Sequence, residues 1–259
     1  MKTEATLYEV HQGGAWITLN RPENRNALSA VLVSELDAHI VAANADPAVR
    51  CIVITGADPA FCAGADLKNP PGQSNGGFRA VPFPDLLQRI LDSNKPVIAA
   101  VNGSAFAGGL GLVGAADIVV AADDALFSFS EVRIGVIPAI IAVTCLPKLG
   151  QHHGMRLILT GERFTGARAV EYGLAHRAVP RADLAAAVQA EIDMIALGGP
   201  IAVVQCKKLV RRVPGLAPET AFRAMADWSS EMFGTPEAAE GMAAFREKRR
   251  PAWVAGKTS

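Results

Sequence analysis

The chain has 259 residues, 50% of them hydrophobic and 19% charged, enough apolar material for a sizeable core and too much for a disordered polypeptide. Its 25 Lys and Arg balance 25 Asp and Glu, so there is no basic excess to attract nucleic acid, and 6% aromatic residues offer little base-stacking surface. The four cysteines, Cys51, Cys62, Cys145 and Cys206, form no CxxC pair and have no His at ligand spacing, which reads as reduced thiols of a cytoplasmic protein without a metal site.

MKTEATLYEV lacks the apolar stretch of a signal peptide. The longest uncharged apolar run, Ile134–Pro147, is interrupted by prolines and shorter than the roughly 18 residues of a membrane span. The expectation is a soluble protein with no membrane partner.

Leu7–Val10 and Ala15–Leu19, joined by Gln-Gly-Gly, predict a hairpin. Ser29 suits the N-cap of a helix whose apolar residues Leu32, Val33, Leu36, Ile40 and Ala43 recur at helical spacing until Asp46-Pro47. Cys51–Thr55 is a continuous apolar run, hence a buried strand, followed by a loop over Gly56–Asp66. Asn69–Ala80, rich in Pro, Gly, Ser and Asn, predicts a mobile flap. Then come a helix over Pro84–Asp92, a strand over Pro96–Val101, a glycine-studded helix start within Gly103–Gly114, and strands at Ile118–Ala121 and Leu126–Ser128. Beyond Pro138 the pattern turns helical, and residues 200–259 read as helices only. The fold class is therefore an α/β core over residues 1–199 with a helical appendage over 200–259. No strict repeat of identities is visible, only a recurring strand–loop–helix rhythm.

Several motifs invite chemistry and are better read as bland. Gly109-Leu-Gly111-Leu-Val-Gly114 matches GxGxxG, but Asn102–Ala107 intervene after the preceding strand, where a dinucleotide turn follows at once. Gly72-Gln-Ser74-Asn-Gly76 matches GxSxG, yet lies in the Pro/Gly stretch and not on a strand-to-helix elbow. His152-His153 has no further ligand nearby and reads as a solvated loop pair. Glu237–Lys248 mixes both signs of charge, as exposed helix faces do.

Two glycine-rich turns carry more: Phe61-Cys-Ala-Gly64-Ala65-Asp66-Leu-Lys68 and Asn102-Gly103-Ser-Ala-Phe-Ala-Gly108-Gly109. Each follows a predicted strand, and small residues let backbone N–H groups approach a ligand closely. The second opens a helix, whose first N–H groups lack partners and whose dipole favours negative charge. Two such donors aimed at one point would stabilise an oxyanion. On residue type alone, close packing of turns explains the glycines equally well.

FCAGADLK, NGSAFAGGLGL, AADIVVAADDALFSFSEVRIGVIPA and LTGERFTGARAVEYGLAHRAVP, in that order, resemble the crotonase family, also called the enoyl-CoA hydratase/isomerase family. NRPENRNAL and EGMAAFREKRRPAW extend the resemblance to both ends. It implies a crotonase-like spiral of ββα repeats, a C-terminal helical trimerisation region, and assembly as a homotrimer or homohexamer. It also implies an acyl-CoA substrate, with no cofactor beyond that thioester. By motif position the oxyanion hole falls on the N–H groups of Ala65 and Gly108. Arg25, Ala27, Ala63, Asp66, Leu67 and Lys68 match the part that lines CoA, and Lys248 matches a basic residue reaching CoA phosphate from a neighbouring subunit.

Hydration of a conjugated thioester needs enolate stabilisation, a base for water and a proton for Cα. In two-glutamate hydratases of the family, one Glu lies three residues beyond the second oxyanion glycine and the other ends a later loop. Here the later one is Glu131, and the earlier position holds Gly111. Phe127, Phe129, Val132 and Ile134 flank Glu131 and predict an apolar pocket that raises its pKa; an alternative is a surface pair with Arg133. Gly111 and the stretch Glu131–Ala139 look most like single-glutamate bacterial hydratases of branched acids, of the methylglutaconyl-CoA type. The family's usual Gly-Gly-x-Gln-Arg-Leu run after Pro138 is replaced by Ile-Ile-Ala-Val-Thr-Cys-Leu-Pro. The resemblance thus implies an enoyl-CoA hydratase with Glu131 as acid and base. A Δ3,Δ2-enoyl-CoA isomerase and a non-catalytic acyl-CoA-binding protein remain open.

Overall fold

The computed structural model describes residues 4–66 and 80–254. The predicted flap, except Ala80, and the GxSxG stretch lie outside the described residues. The chain divides into two compact units, Met1–Ala190 and Glu191–Ser259.

In the first unit, β1 (Thr6–His11) and β2 (Gly14–Leu19) form the predicted hairpin, and α1 (Ala30–Ala45) follows. Ser29 caps α1, its Oγ accepting from the Leu32 N–H at 3.3 Å, and the five apolar residues read from the sequence are buried. A unit of strand, short strand and helix then recurs. β3 (Cys51–Gly56) and β4 (Ala60–Cys62) precede α2 (Phe83–Asp92). β5 (Val97–Val101) and β6 (Ser104–Phe106) precede α3 (Gly108–Ala115). β7 (Ile118–Ala122) and β8 (Leu126–Ser128) precede α4 (Ala139–Thr160), a helical segment broken at Gly150. β9 (Phe164–Thr165), α5 (Gly166–Glu171), β10 (Arg177–Val179) and α6 (Leu184–Leu197) follow.

From the second repeat on, the first strand joins a six-stranded sheet of order β1-β2-β3-β5-β7-β10, and the second joins a four-stranded sheet of order β4-β6-β8-β9. Neighbours β2, β3, β5, β7 and β10 run parallel, as do β4, β6 and β8. The rhythm read from the sequence is therefore a turn of chain that visits both sheets. The long strands were legible because burial on both faces demands unbroken apolar runs. β4 and β6 were not: the segments read as loop and helix start each contain a three-residue strand, too short to show a period.

One further expectation changes, and one bland reading gains its physical basis. His152 and His153 lie on the helical part of α4 that resumes after Gly150, not in a loop, and His153 packs on the Tyr172 ring at 4.7 Å. The glycines of Gly109–Gly114 are packing devices. A Cβ on Gly109 would stand 2.5 Å from the Cys62 carbonyl oxygen, and one on Gly114 would stand 2.7 Å from Thr144 Oγ1. Their absence lets α3 lie against β4 on one side and α4 on the other.

The second unit is helical, as read: α7 (Pro200–Arg212), α8 (Pro218–Phe233) and α9 (Pro236–Arg246). Glu237 closes the start of α7, accepting from the Ile201 and Ala202 N–H groups at 2.9 and 2.8 Å. Trp253 Nε1 donates to the Leu197 carbonyl at 3.1 Å. Half of the Glu237–Lys248 stretch is exposed, including the run Phe245–Lys248. Among the described residues no single helix is long and apolar enough to cross a membrane.

Candidate active site

Parallel strands β4, β6 and β8 are neighbours, with Cys62 opposite Ala105 and Phe106 opposite Ser128. The segments that follow them, Ala63–Asp66, Ala107–Gly108 and Phe129–Glu131, thus leave one edge of the small sheet side by side. Ligands commonly bind at the carboxyl ends of parallel strands.

The first two segments interlock at Gly64. At φ +97° it adopts a conformation that suits glycine, and a Cβ there would lie 2.9 Å from Ala107 Cβ and 3.3 Å from the Gly108 nitrogen. A Cβ on Gly108 would lie 3.7 Å from the Ala65 nitrogen. The N–H groups of Ala65 and Gly108 therefore stand close together, and neither donates to a backbone acceptor among the described residues. Gly108 begins α3, so its N–H also lies at the positive end of the helix dipole. Ala107 holds the turn at φ 47°, ψ −120°, a strained conformation costing about 1–3 kcal/mol. Its N–H donates to the Ser128 carbonyl at 3.1 Å, which ties the second segment to β8.

A turn from another part of the chain supports the first segment. Asn26, fully buried, accepts from the Arg21 N–H at 2.8 Å and donates to the Ala57 and Ala60 carbonyls at 2.7 Å each. Ala63 N–H donates to the Arg25 carbonyl, Leu28 N–H to that of Gly64, and Asp66 N–H to that of Leu28. Arg25, Ala27, Ala63 and Asp66 are brought together by this ladder. The Asp66 carboxylate pairs with Arg21 at 3.1 Å. Sequence reasoning missed Asn26 and Arg21; a lone Asn within a turn, able to bond locally and adopt positive φ, was the available signal. Leu67 and Lys68 lie outside the described residues. Lys248 belongs to the second unit, exposed in the turn after α9 at φ 54°.

Glu131 sits in a single 3-10 turn, Ser130–Ile134. Its Oε2 is buried without a hydrogen-bond partner, and burial pushes the carboxyl above its ordinary range, opposed by a backbone hydrogen bond. The expected apolar surround is half right. Phe127 and Phe129 are buried, whereas Ile134 is 69% exposed and Val132 also faces solvent, because the chain turns outward through left-handed Gly135. Arg133 reaches the Thr160 carbonyl at 3.5 Å, and no ion pair between it and Glu131 occurs among the described residues.

Glu131 is an electrostatic neighbour of Cys145. Burial, with a smaller contribution from the Glu131 charge, raises that thiol to about 12. Cys145 Sγ in turn donates to the Leu110 carbonyl of α3 at 3.3 Å. Gly111, by contrast, faces apolar packing: a Cβ there would meet Ile141 Cγ2 at 2.7 Å and Phe83 Cζ at 3.2 Å. No group of three or more residues that could hold a metal occurs among the described residues.

The arrangement, two N–H groups without an acceptor among the described residues and a carboxyl of raised pKa, suits chemistry on a polarised carbonyl. Residues 9–256 match the family model described as Enoyl-CoA hydratase/isomerase. The chain is 36% identical over 251 residues to a Rhizobium meliloti protein named "Probable enoyl-CoA hydratase", covering 96% of this chain and 98% of that one. It is 35% identical over 245 residues to carnitinyl-CoA dehydratase of Proteus mirabilis, covering 92% and 93%. The solved structure of Pseudomonas aeruginosa AtuE aligns with a TM-score of 0.88 at 34% identity, over 97% of this chain and 100% of that one. The protein belongs to the enoyl-CoA hydratase/isomerase family and has its crotonase fold.

Proposed function

We propose that the protein is an enoyl-CoA hydratase, adding water across the α,β double bond of a 2-enoyl-CoA thioester with Glu131 as acid and base. The thioester oxygen would sit between the Ala65 and Gly108 N–H groups. The Glu131 carboxylate takes a proton from water as its oxygen bonds to Cβ, and the π electrons move onto the carbonyl as an enolate. Two preorganised donors stabilise that charge by about 3 kcal/mol each. The protonated Glu131 then delivers the same proton to Cα, giving the 3-hydroxyacyl thioester with no cofactor.

The observation that carries the reading is the unpartnered, buried Glu131 Oε2. A carboxyl with one oxygen lacking a partner and a raised pKa holds a transferable proton to higher pH than an ordinary one. The hydratase names of relatives support the same reading.

The packing at Gly111 favours a second reading, a Δ3,Δ2-enoyl-CoA isomerase. One carboxylate suffices there: Glu131 takes a proton from Cα of a 3-enoyl thioester, the dienolate forms, and the proton returns at Cγ. Crotonyl-CoA and a 3-enoyl-CoA, supplied separately, separate the two by the 2-enoyl thioester absorbance. It falls on hydration and rises on isomerisation. No change with either points to acyl-CoA binding without turnover.

The proposal includes self-association through the C-terminal helices as a homotrimer or homohexamer, with Lys248 reaching the CoA phosphate of a neighbour, and a cytoplasmic location. Exposed Phe222, Phe233 and Phe245 support an assembly that covers them. Light scattering tests it, and a monomer at all concentrations contradicts it.

A further inference from the structure

Gly111 follows Gly108 by one turn on α3, so its surroundings border the segment that presents the Gly108 N–H. The space a side chain would take there is already occupied. Besides Ile141 Cγ2 at 2.7 Å and Phe83 Cζ at 3.2 Å, a Cβ would find Ile141 Cβ at 3.4 Å. Ile141 and Phe83 are 3% and 7% exposed and come from different helices, α4 and α2. Neither can withdraw cheaply. Ile141 is β-branched and stiff at χ1, and α4 is held against α3 by Thr144 Oγ1 donating to the Gly111 carbonyl at 3.2 Å and by Cys145 Sγ donating to that of Leu110.

We propose that Ile141, backed by Phe83, is a specificity-determining residue: it fills the volume beside Gly111 with hydrocarbon and confines proton transfer to Glu131. The inference rests on the enoyl-CoA reading above. Hydration asks for a proton to leave water and another to reach Cα. With one carboxylate both tasks fall to the same group in sequence. Moving a proton between Cα and Cγ asks for no more than that one group. The hydrocarbon wall therefore lowers hydration relative to proton transfer within the acyl chain, and residues 111 and 141 are matched in size.

The test compares the wild type with Gly111→Glu, Ile141→Ala and the double variant, reading thermal midpoint and the ratio of hydration to isomerisation. Gly111→Glu alone should overpack the contact, lower the midpoint by about 5 °C, and depress both activities. Adding Ile141→Ala should recover most of that midpoint, a non-additive result. It should also raise the hydration-to-isomerisation ratio about tenfold or more over Ile141→Ala alone, short of the roughly 100-fold that an ideally placed acid or base contributes. Should Gly111→Glu fail to fold, Gly111→Ala with and without Ile141→Ala reads the size match, and the ratio is read in the double variant. Additive midpoints, or a double variant with the ratio of Ile141→Ala, overturn the inference while leaving the enoyl-CoA reading intact. A wild type inert on both substrates overturns that reading, and this inference with it.

Discussion

The two units of the chain solve opposite problems. The first buries the apolar side chains of its central strands β3 and β5 and the Leu32, Val33, Leu36 and Ile40 face of α1, and uses glycines to bring backbone against backbone around the site. In the second, α7 and α8 contain no buried residue, α9 buries only Ala244, and Phe222 is 81% exposed. A unit with its own interior can hold a strained turn and an unpartnered carboxyl in place. A unit whose apolar faces are open depends on a partner surface to cover them. In the proposed function, catalysis and assembly are thus divided along the chain.

The most severe break should come from Glu131→Gln, which keeps size and polarity but cannot accept a proton. We predict a fall in kcat of about 100-fold or more, with acyl-CoA affinity near wild type. Full turnover on every enoyl-CoA tried would sink the mechanism. The pH dependence has a definite sign. Burial raises the folded carboxyl's pKa, so the folded protein holds that proton more tightly than the unfolded chain. Stability from this group is present at low pH and is lost as pH rises from the ordinary carboxylate range through the raised one. Activity that needs the carboxylate rises over the same window. Glu131→Gln should therefore be more stable than wild type at neutral pH and show a flatter stability profile, readable from denaturation midpoints at several pH values.

Gly108→Val should come next. A Cβ at Gly108 stands 2.8 Å from Leu28 Cδ1 and on the side of the Ala65 nitrogen, so a branched side chain enters the space proposed for the thioester oxygen. Activity should drop by about tenfold or more while the circular dichroism of the folded protein is retained. Wild-type turnover by the folded variant would remove Gly108 from the site.

Asn26→Ala tests whether the first unit's rigidity extends beyond the catalytic segments. It leaves the Ala57 and Ala60 carbonyls without their side-chain donor and should destabilise by about 3 kcal/mol, seen as a lower denaturant midpoint. A loss below about 0.5 kcal/mol would mean that water replaces the amide.

The smallest effect separates the units chemically. Burial pushes Cys51, Cys62 and Cys145 up to about 12, so they stay protonated and shielded, whereas Cys206 of the second unit is exposed. A thiol reagent should modify Cys206 alone in the native protein and leave turnover within about twofold of the untreated enzyme. Rapid labelling of Cys145 would show that the α3–α4 contact opens.

Sequence alone determined the framework of long elements. Apolar runs marked the buried strands, Ser29 marked the start of α1, and residues 200–259 read as helix, because each signal is local and repeats with a fixed period. Glu131 and the two glycine turns were also legible as candidates for chemistry. What decided their meaning was non-local. Three-residue strands β4 and β6 carry no period of their own, yet their pairing with β8 is what aligns Ala65, Gly108 and Glu131 at one edge. Asn26 became a support only through carbonyls more than thirty positions away. Gly111 read only as the position of an absent carboxylate; the fold shows Ile141 and Phe83 filling the space beside it. A glycine in a sequence is an unspecified volume, and only the packing of distant helices says whether that volume is open or full.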